Sequence, residues 1–106
     1  MNEQIHIIEQ KEQSIQDFVS DLQSTYGTWE NKNSIIILST RSMLPINLTN
    51  TLLGLSKQHR QKGCSFVMVS SELNGSEIAE DIIIVPTIEE AHDIIDMEII
   101  ERDLGL

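Results

Sequence analysis

The chain has 106 residues, 40% of them hydrophobic and 4% aromatic, and its 17 acidic against 7 basic side chains give a formal net charge of -10 at pH 7. This length suits one domain spanning residues 1–106, and the apolar fraction is too high for a disordered chain. Because so acidic a surface repels phosphate groups, the composition argues against nucleic acid as a partner. We expect no membrane insertion either, since no apolar run reaches the length of a membrane-spanning helix. The single cysteine, Cys64, cannot form an internal disulfide, so a reducing, cytoplasmic location is expected.

The first third of the chain predicts a strand followed by a helix. Residues 5–8 form a short apolar strand. Ser14 is the predicted N-cap of the helix, with Asp17 three residues later, and Gly27 is its predicted end. Residues 28–33 are then expected to be a polar loop, with Trp29 as the exception. One face of the helix is expected to carry the apolar side chains of Ile15, Phe18, Val19, Leu22 and Tyr26.

The middle of the chain predicts a buried strand and a second helix. Residues 35–38 are an unbroken aliphatic run, which is typical of a strand covered on both faces. The helix is expected to run from near Asn47, its predicted N-cap, to Lys62 and Gly63. Leu53 is expected on its outer side, and Gly54 is a weak point within it. The buried face of this helix is predicted to comprise Leu48, Leu52, Leu55 and His59.

The last third of the chain predicts two further strands and a final helix. Residues 66–69 and 82–85 form the strands, with a turn at residues 74–75 and one helical turn at residues 77–80 between them. Pro86 ends the last strand, and Thr87 with Glu90 predicts a capped helix start. This alternation of strands and helices predicts an α/β fold with a four-stranded, mainly parallel sheet and helices packed against it. The core face of the final helix is predicted to comprise Ile88, Ala91, Ile95 and Ile99.

Three segments within residues 34–105 resemble the STAS domain family of anti-sigma factor antagonists and sulfate transporter C-terminal domains. They are, in chain order, SIIILS, LTNTLLGLSKQHRQKGCSFVMVS and IIIVPTIEEAHDII. The resemblance implies a small STAS-like α/β domain. It also implies a non-catalytic regulatory module that binds a protein partner such as an anti-sigma factor or a kinase-like regulator.

The phosphorylation site of that family is not retained here. In the family an acidic residue, two serines and a glycine open the second helix, and the partner kinase phosphorylates the second serine. Counting back from Gly63 without gaps places that serine at Asn47, which is therefore the phosphoacceptor-equivalent position and cannot accept a phosphoryl group. The sequence leaves open whether Ser42 or Thr49 replaces it. The family's domains also begin with a two-stranded hairpin, whereas one strand here leads straight into the helix.

Three surfaces are candidates for binding. The resemblance implies a partner surface around the start of the second helix, comprising Met43, Leu44, Pro45, Asn47, Asn50, Leu53 and Lys57. An alternative is a nucleotide or anion site at the carboxyl ends of the strands, near residues 39–42 and 70–71. A third hypothesis is self-association into a homodimer, through a second apolar stripe on the last helix. That stripe comprises Met97, Ile100 and Leu104.

The sequence contains no residue pattern that indicates catalysis. The three histidines, His6, His59 and His92, lack the spacing of metal ligands, and Cys64 has no cysteine partner. No glycine-rich phosphate loop follows a strand. We therefore expect no enzyme activity, no metal and no cofactor. The acidic residues of the last helix are interpreted as a solvated face: Glu89, Glu90, Asp93, Asp96, Glu98, Glu101 and Asp103.

Overall fold

The computed structural model describes residues 5–39, 44–71 and 82–105. The predicted α/β class is confirmed, and so is the predicted four-stranded sheet. The turn and the helical turn predicted at residues 74–75 and 77–80 lie outside the described residues. The elements are, in chain order, β1 (Ile5–Glu9), α1 (Ile15–Ser24), α2 (Tyr26–Trp29), β2 (Asn33–Ile37), α3 (Ile46–Gln61), β3 (Phe66–Val69), β4 (Ile83–Val85) and α4 (Ile88–Asp103).

The strand order in the sheet is β1-β2-β3-β4, and each neighbouring pair is parallel. In the register, Ile8 pairs with Ile36, Ile36 with Met68, and Met68 with Ile84, so one apolar row crosses one face. A second row of β-branched residues crosses the other face, formed by Ile7, Ile35, Val67 and Ile83. Both faces of the sheet are apolar, as an all-parallel sheet requires. The described residues contain no antiparallel pair, so the hairpin that opens STAS domains has no counterpart among them.

The helices form one layer on each side of the sheet. Because each strand lies next to the preceding one, right-handed crossovers place α1, α2 and α3 on the same face. That side holds the larger core cluster, which includes Phe18, Leu22, Trp29, Ile36, Leu52, Phe66 and Met68. The smaller cluster lies under α4 and is built around Ile35, Val67, Val69, Ala91 and Ile95.

Among the described helices only α4 lies on this face of the sheet, and it does not cover the whole face. It packs on β2, β3 and β4, whereas Ile7 on β1 remains 46% exposed. A helix is about 10 Å across and neighbouring strands are about 4.8 Å apart, so one helix covers roughly two strands. The edge strand β1 is consequently left with an apolar side chain at the surface.

Two local predictions fail around α2. The first helix ends at Ser24 rather than at Gly27, because the C-cap Thr25 leaves the helical backbone region, with φ -100 and ψ 3. The Thr25 hydroxyl donates to Asp21 O at 2.7 Å. Tyr26 then belongs to the separate one-turn helix α2, which also contains Gly27. The loop predicted at residues 28–33 is shorter, because Thr28 and Trp29 belong to α2 and Asn33 begins β2. Trp29, its predicted apolar exception, is 1% exposed and lies in the core.

The predicted N-caps of α1 and α4 are confirmed. Ser14 Oγ accepts a hydrogen bond from Asp17 N at 3.1 Å, and Thr87 Oγ1 accepts one from Glu90 N at 3.2 Å. Each hydroxyl pairs a backbone N–H of the first turn that the helix itself leaves without a carbonyl partner. The sequence predicts the starts of these two helices correctly because an N-cap depends on residues only three positions apart.

Candidate functional site

The helix α3 begins one residue earlier than its sequence suggests. Pro45 occupies the N-cap position with extended backbone (φ -57, ψ 147), and its own side chain makes no capping hydrogen bond. Asn47 is the second residue of the helix, so its interpretation as the N-cap is wrong. The pyrrolidine ring of Pro45 fixes φ and lacks an N–H, which suits a residue immediately before a helix. Asn47 is exposed at this end of α3.

The residues around Pro45 divide into buried and exposed ones. Leu44 is only 7% exposed and belongs to the larger core cluster, so it cannot serve as a surface anchor in this conformation. Leu53 is half-buried and packs against the same cluster, which corrects its expected outer position. Ile46, which the sequence reading missed, is 74% exposed. Its position in the sequence indicates this exposure, because Ile46 follows the proline that ends the loop and does not share the helix face of the buried Leu48 and Leu52.

The two alternatives to Asn47 as a phosphoacceptor are not equivalent. Thr49 is 5% exposed, and a kinase cannot reach a hydroxyl that is packed inside the fold. Ser42 lies outside the described residues, as does Met43 of the predicted partner surface. Of the two, only Ser42 remains a prediction.

The outer face of α3 is a continuous polar surface. Its residues recur at the helical spacing, and all of them are exposed: Asn47, Asn50, Gly54, Lys57 and Gln61. Between Asn31 and Ser70 the chain contains no acidic residue, so this face is neutral to basic in an otherwise acidic protein. We call these five residues, together with Ile46, the α3 outer face.

Gly54 lies in the middle of the α3 outer face without any internal need for a glycine. A Cβ built at this position meets no atom within 4 Å, and the backbone there is not in the left-handed region. Glycine inside a helix costs about 1 kcal/mol of stability relative to alanine. The fold therefore carries a destabilising residue at an exposed position where its own packing would accept a methyl group.

A second exposed surface lies on α4. Met97, Ile100 and Leu104 are 60%, 58% and 68% exposed, and their spacing places them on the side of the helix opposite the buried Ala91 and Ile95. We call these three residues the α4 stripe. Exposed acidic side chains accompany it: Asp93, Asp96, Glu101 and Asp103.

A buried polar cluster that joins distant elements centres on His59, which is 0% exposed. Its Nε2 lies 2.6 Å from Lys32 O, and since a carbonyl can only accept, this nitrogen carries the proton. Its Nδ1 lies 3.0 Å from Tyr26 Oη and therefore accepts from that hydroxyl. The rings of Trp29 and Phe66 pack around the imidazole, with their centroids 5.3 and 6.1 Å from the centroid of the His59 ring.

The electrostatics of this cluster favour neutral side chains. Burial lowers the pKa of His59, and the positive charges of Lys62 and Arg60 lower it further, against the opposing effect of the Lys32 carbonyl. Burial also raises the pKa of Tyr26, as does the nearby charge of Glu30. A neutral histidine and a protonated tyrosine that satisfy one another are a structural pair rather than an acid and base aimed at a substrate.

Two arginines fasten the amino end of the sheet. Arg102 on α4 donates to Ser65 Oγ at 3.2 Å and to Asn33 Oδ1 at 3.1 Å, just before β3 and at the start of β2. Arg60 on α3 donates to Glu98 Oε2 of α4 at 3.0 Å and to Phe66 O at 3.3 Å. Arg60 thus connects the helical layers on the two faces at the amino end of the sheet.

The alternative prediction places a ligand site at the carboxyl end of the sheet. Hydrogen bonds within the chain connect the segments that follow β1 and β2 there. Gln10 Oε1 accepts from Ser39 N at 3.0 Å, and Gln10 Nε2 donates to Gln13 O at 3.0 Å. Ser70 is 2% exposed. Residues 40–42, which belong to the predicted ligand site, lie outside the described residues. The ligand site stays a prediction.

No group of His, Cys, Asp or Glu within residues 5–39, 44–71 and 82–105 could hold a metal ion. No helix in the same ranges is both long and apolar enough to span a bilayer. Comparison of the chain with family models, with curated proteins and with solved structures yielded no match. The structure shows an α/β fold, and the resemblance to STAS domains therefore stays a prediction.

Proposed function

We propose that this chain is a non-catalytic regulatory module that binds a protein partner through the α3 outer face. The observation that carries the proposal is Gly54, an exposed mid-helix glycine with no atom within 4 Å of its absent Cβ. A glycine at such a position lets another backbone or a bulky side chain approach the helix closely. The partner class implied by the STAS resemblance is an anti-sigma factor or a kinase-like regulator.

The chemistry around Gly54 suits a protein surface. Asn47 and Asn50 precede it by seven and four residues and offer amide donors and acceptors, and Lys57 follows with a positive charge. Ile46, at 74% exposure, supplies an apolar anchor at one end of the face. The absence of acids between Asn31 and Ser70 favours a partner whose contact surface is acidic.

Under this proposal the module is not switched at its phosphoacceptor-equivalent position. Asn47 is exposed but cannot be phosphorylated, and Thr49 is buried. An unphosphorylated antagonist is the form that the family resemblance links to partner binding. We therefore propose that the module is permanently competent to bind, with its activity set by the amount of protein rather than by a kinase acting at this site.

The substitution Asn47→Asp tests the proposal without threatening the fold. Asn47 lies in the first turn of α3, which has no acidic residue, so a carboxylate there is expected to stabilise the helix by about 0.3–1 kcal/mol. The matched control is Gln16→Glu, which adds the same charge at the second, exposed position of α1. Capture of partners from the host by the tagged chain, quantified by mass spectrometry, is expected to drop for Asn47→Asp and to persist for Gln16→Glu.

A second variant separates binding from folding at Gly54. Gly54→Leu places a bulky side chain in the middle of the α3 outer face and is expected to abolish capture of the same partner while the thermal unfolding temperature holds or rises. Equal capture by the wild-type chain, Asn47→Asp and Gly54→Leu would show that the partner binds elsewhere and would remove the proposal.

A further inference from the structure

We infer that the α4 stripe is a second docking site, whose occupant is a basic amphipathic helix of a partner protein. The inference rests on a surface distinct from the α3 outer face and does not depend on the function proposed above. Met97, Ile100 and Leu104 follow the i, i+3, i+7 spacing by which one helix presents its apolar anchors to another. Each of the three is more than half exposed, at 60%, 58% and 68%.

The stripe is not required for packing within the chain. The inner side of α4 already supplies Ala91 and Ile95, both 0% exposed, to the core beneath it. Three large apolar side chains in succession on the outer side form a contiguous patch, unlike an isolated surface leucine. A helix that is apolar on two opposite sides is typical of one packed between two partners.

The charges on α4 determine what kind of partner fits. The acidic residues near the stripe, Asp93, Asp96, Glu101 and Asp103, are all exposed. The basic residue Arg102 faces away, since its guanidinium donates to Ser65 and Asn33 at 3.2 and 3.1 Å. The rim of the stripe is therefore negative on both sides, and a partner with lysine or arginine beside its apolar anchors complements it.

The same charges disfavour the other occupants. In a symmetric dimer the same patch faces itself, so the acidic rim of one copy would meet the acidic rim of the other. Like charges brought together in this way oppose association, and the net charge of -10 adds to the repulsion. An anionic membrane is repelled for the same reason. The acidic rim attracts a basic helix, whereas it repels a second copy of the chain or an anionic membrane.

The length of the stripe predicts the size of the contact. Residues 97–104 span roughly 10 Å along the helix axis, so the partner contributes about two helical turns. A contact of this size is at the small end of protein interfaces, and we expect binding that is weak on its own and sensitive to ionic strength.

The test uses the intact chain and synthetic helical peptides. The probe peptide carries a leucine stripe at i, i+3 and i+7 flanked by lysines, and its twin carries the same leucines flanked by glutamates. Fluorescence anisotropy measures both affinities at low and at raised ionic strength. The inference predicts that the lysine peptide binds, that the glutamate peptide does not, and that added salt weakens the complex.

A stripe variant distinguishes docking from general charge attraction. Met97→Gln combined with Ile100→Gln removes the apolar side chains from exposed helical positions, leaves the charge unchanged and keeps good helix formers. This variant is expected to bind the lysine peptide at least about tenfold more weakly. The matched control is Ile7→Thr, which removes a partly exposed isoleucine from β1 and is expected to keep full affinity. Amide shift changes on titration are expected to centre on residues 97–104.

Three outcomes would overturn the inference. One is affinity for the lysine peptide that the stripe variant leaves unchanged, because attraction would then be electrostatic alone. Another is equal binding, or equal lack of binding, of the two peptides. The third is a dimer of the chain in sedimentation that the stripe variant abolishes, since a second copy would then be the occupant.

Discussion

The hydroxyl of Tyr26 donates a hydrogen bond to Nδ1 of His59 across 3.0 Å, joining α2 to the last turn of α3. The two residues are 33 positions apart in the chain, and the other ring nitrogen of His59 donates to Lys32 O just before β2. One buried imidazole thereby fixes a helix, a loop and a second helix relative to one another. Lys62 completes the arrangement, with its Nζ 5.1 Å above the Tyr26 ring and 3.3 Å from Glu30 Oε2.

Removing the Tyr26 hydroxyl is expected to destabilise the protein. Tyr26→Phe keeps the ring and its edge-on contact with Trp29 but leaves His59 Nδ1 buried without a donor. Such a loss lowers the free energy of unfolding by about 1–2 kcal/mol, measured by urea denaturation. The control is Thr28→Ala, which removes an exposed hydroxyl that donates to Thr25 O and is expected to cost less than about 0.5 kcal/mol. Equal stability of Tyr26→Phe and wild type would contradict a stabilising hydrogen bond between Tyr26 and His59.

The lowered pKa of His59 predicts that acid destabilises the fold. In the unfolded chain a histidine titrates near 6.5, so below this pH the unfolded state binds a proton that the native state excludes. The contribution of His59 to the free energy of unfolding is therefore complete above about pH 6.5, falls as the pH drops, and levels off below its native pKa.

Unfolding measured in urea across this pH range checks that expectation. His59→Gln can still donate to Lys32 O and accept from Tyr26, and it is expected to show a flatter pH profile than wild type even if it is less stable overall. His92→Asn retains His59 and serves as the matched control. Parallel profiles for wild type and His59→Gln would assign the pH dependence to other groups.

Arg102 is expected to hold the end of α4 against the sheet. Arg102→Met preserves the apolar part of the side chain but loses the hydrogen bonds to Ser65 and Asn33. We expect a decrease of about 1–2 kcal/mol in the free energy of unfolding and faster amide exchange in the last turn of α4. Glu101→Gln, an exposed neighbour, is the control. Unchanged exchange in the last turn would show that apolar packing alone anchors this helix.

Substituting alanine for Gly54, within α3, and for Gly63, just after its end, is expected to change stability in opposite directions. Gly54→Ala meets no atom within 4 Å and is expected to raise the free energy of unfolding by about 0.5–1 kcal/mol. Gly63→Ala also has open space around it, but its φ of +78 is strained for any residue with a Cβ, so we expect a loss of about 1 kcal/mol or more. Thermal and urea unfolding of the two variants provide the measurement. A stabilising Gly63→Ala would contradict the left-handed helix end.

The candidate surfaces were only partly readable from the sequence. The spacing of Met97, Ile100 and Leu104 indicated a stripe opposite the core, and all three are exposed. Around Pro45, the prediction that Leu44 lies on the partner surface is wrong because Leu44 is buried, and the exposed Ile46 was not among the predicted residues. Ile46 lies off the helix face of Leu48 and Leu52, but Leu44 precedes the helix, so no helical periodicity predicts its burial. Whether Leu44 turns inward depends on where α3 lies relative to α1 and the sheet.

By itself the sequence determined the order of the strands and of the three long helices, the parallel α/β class and most of the buried face of each long helix, because hydrophobic periodicity and helix caps act over a few residues. Two features departed from it: the short helix α2 was not predicted, and Ile88, predicted on the core face of α4, is 38% exposed. Only the tertiary structure decided that Ile7 stays exposed at the edge strand, that Trp29 enters the core and that His59 joins Tyr26 to Lys32. It also decided that Arg60 and Arg102 reach around the sheet to the opposite helical layer and to the strand ends. These features arise from residues that are distant in the chain and meet only after the sheet has ordered its strands, so no local pattern encodes them.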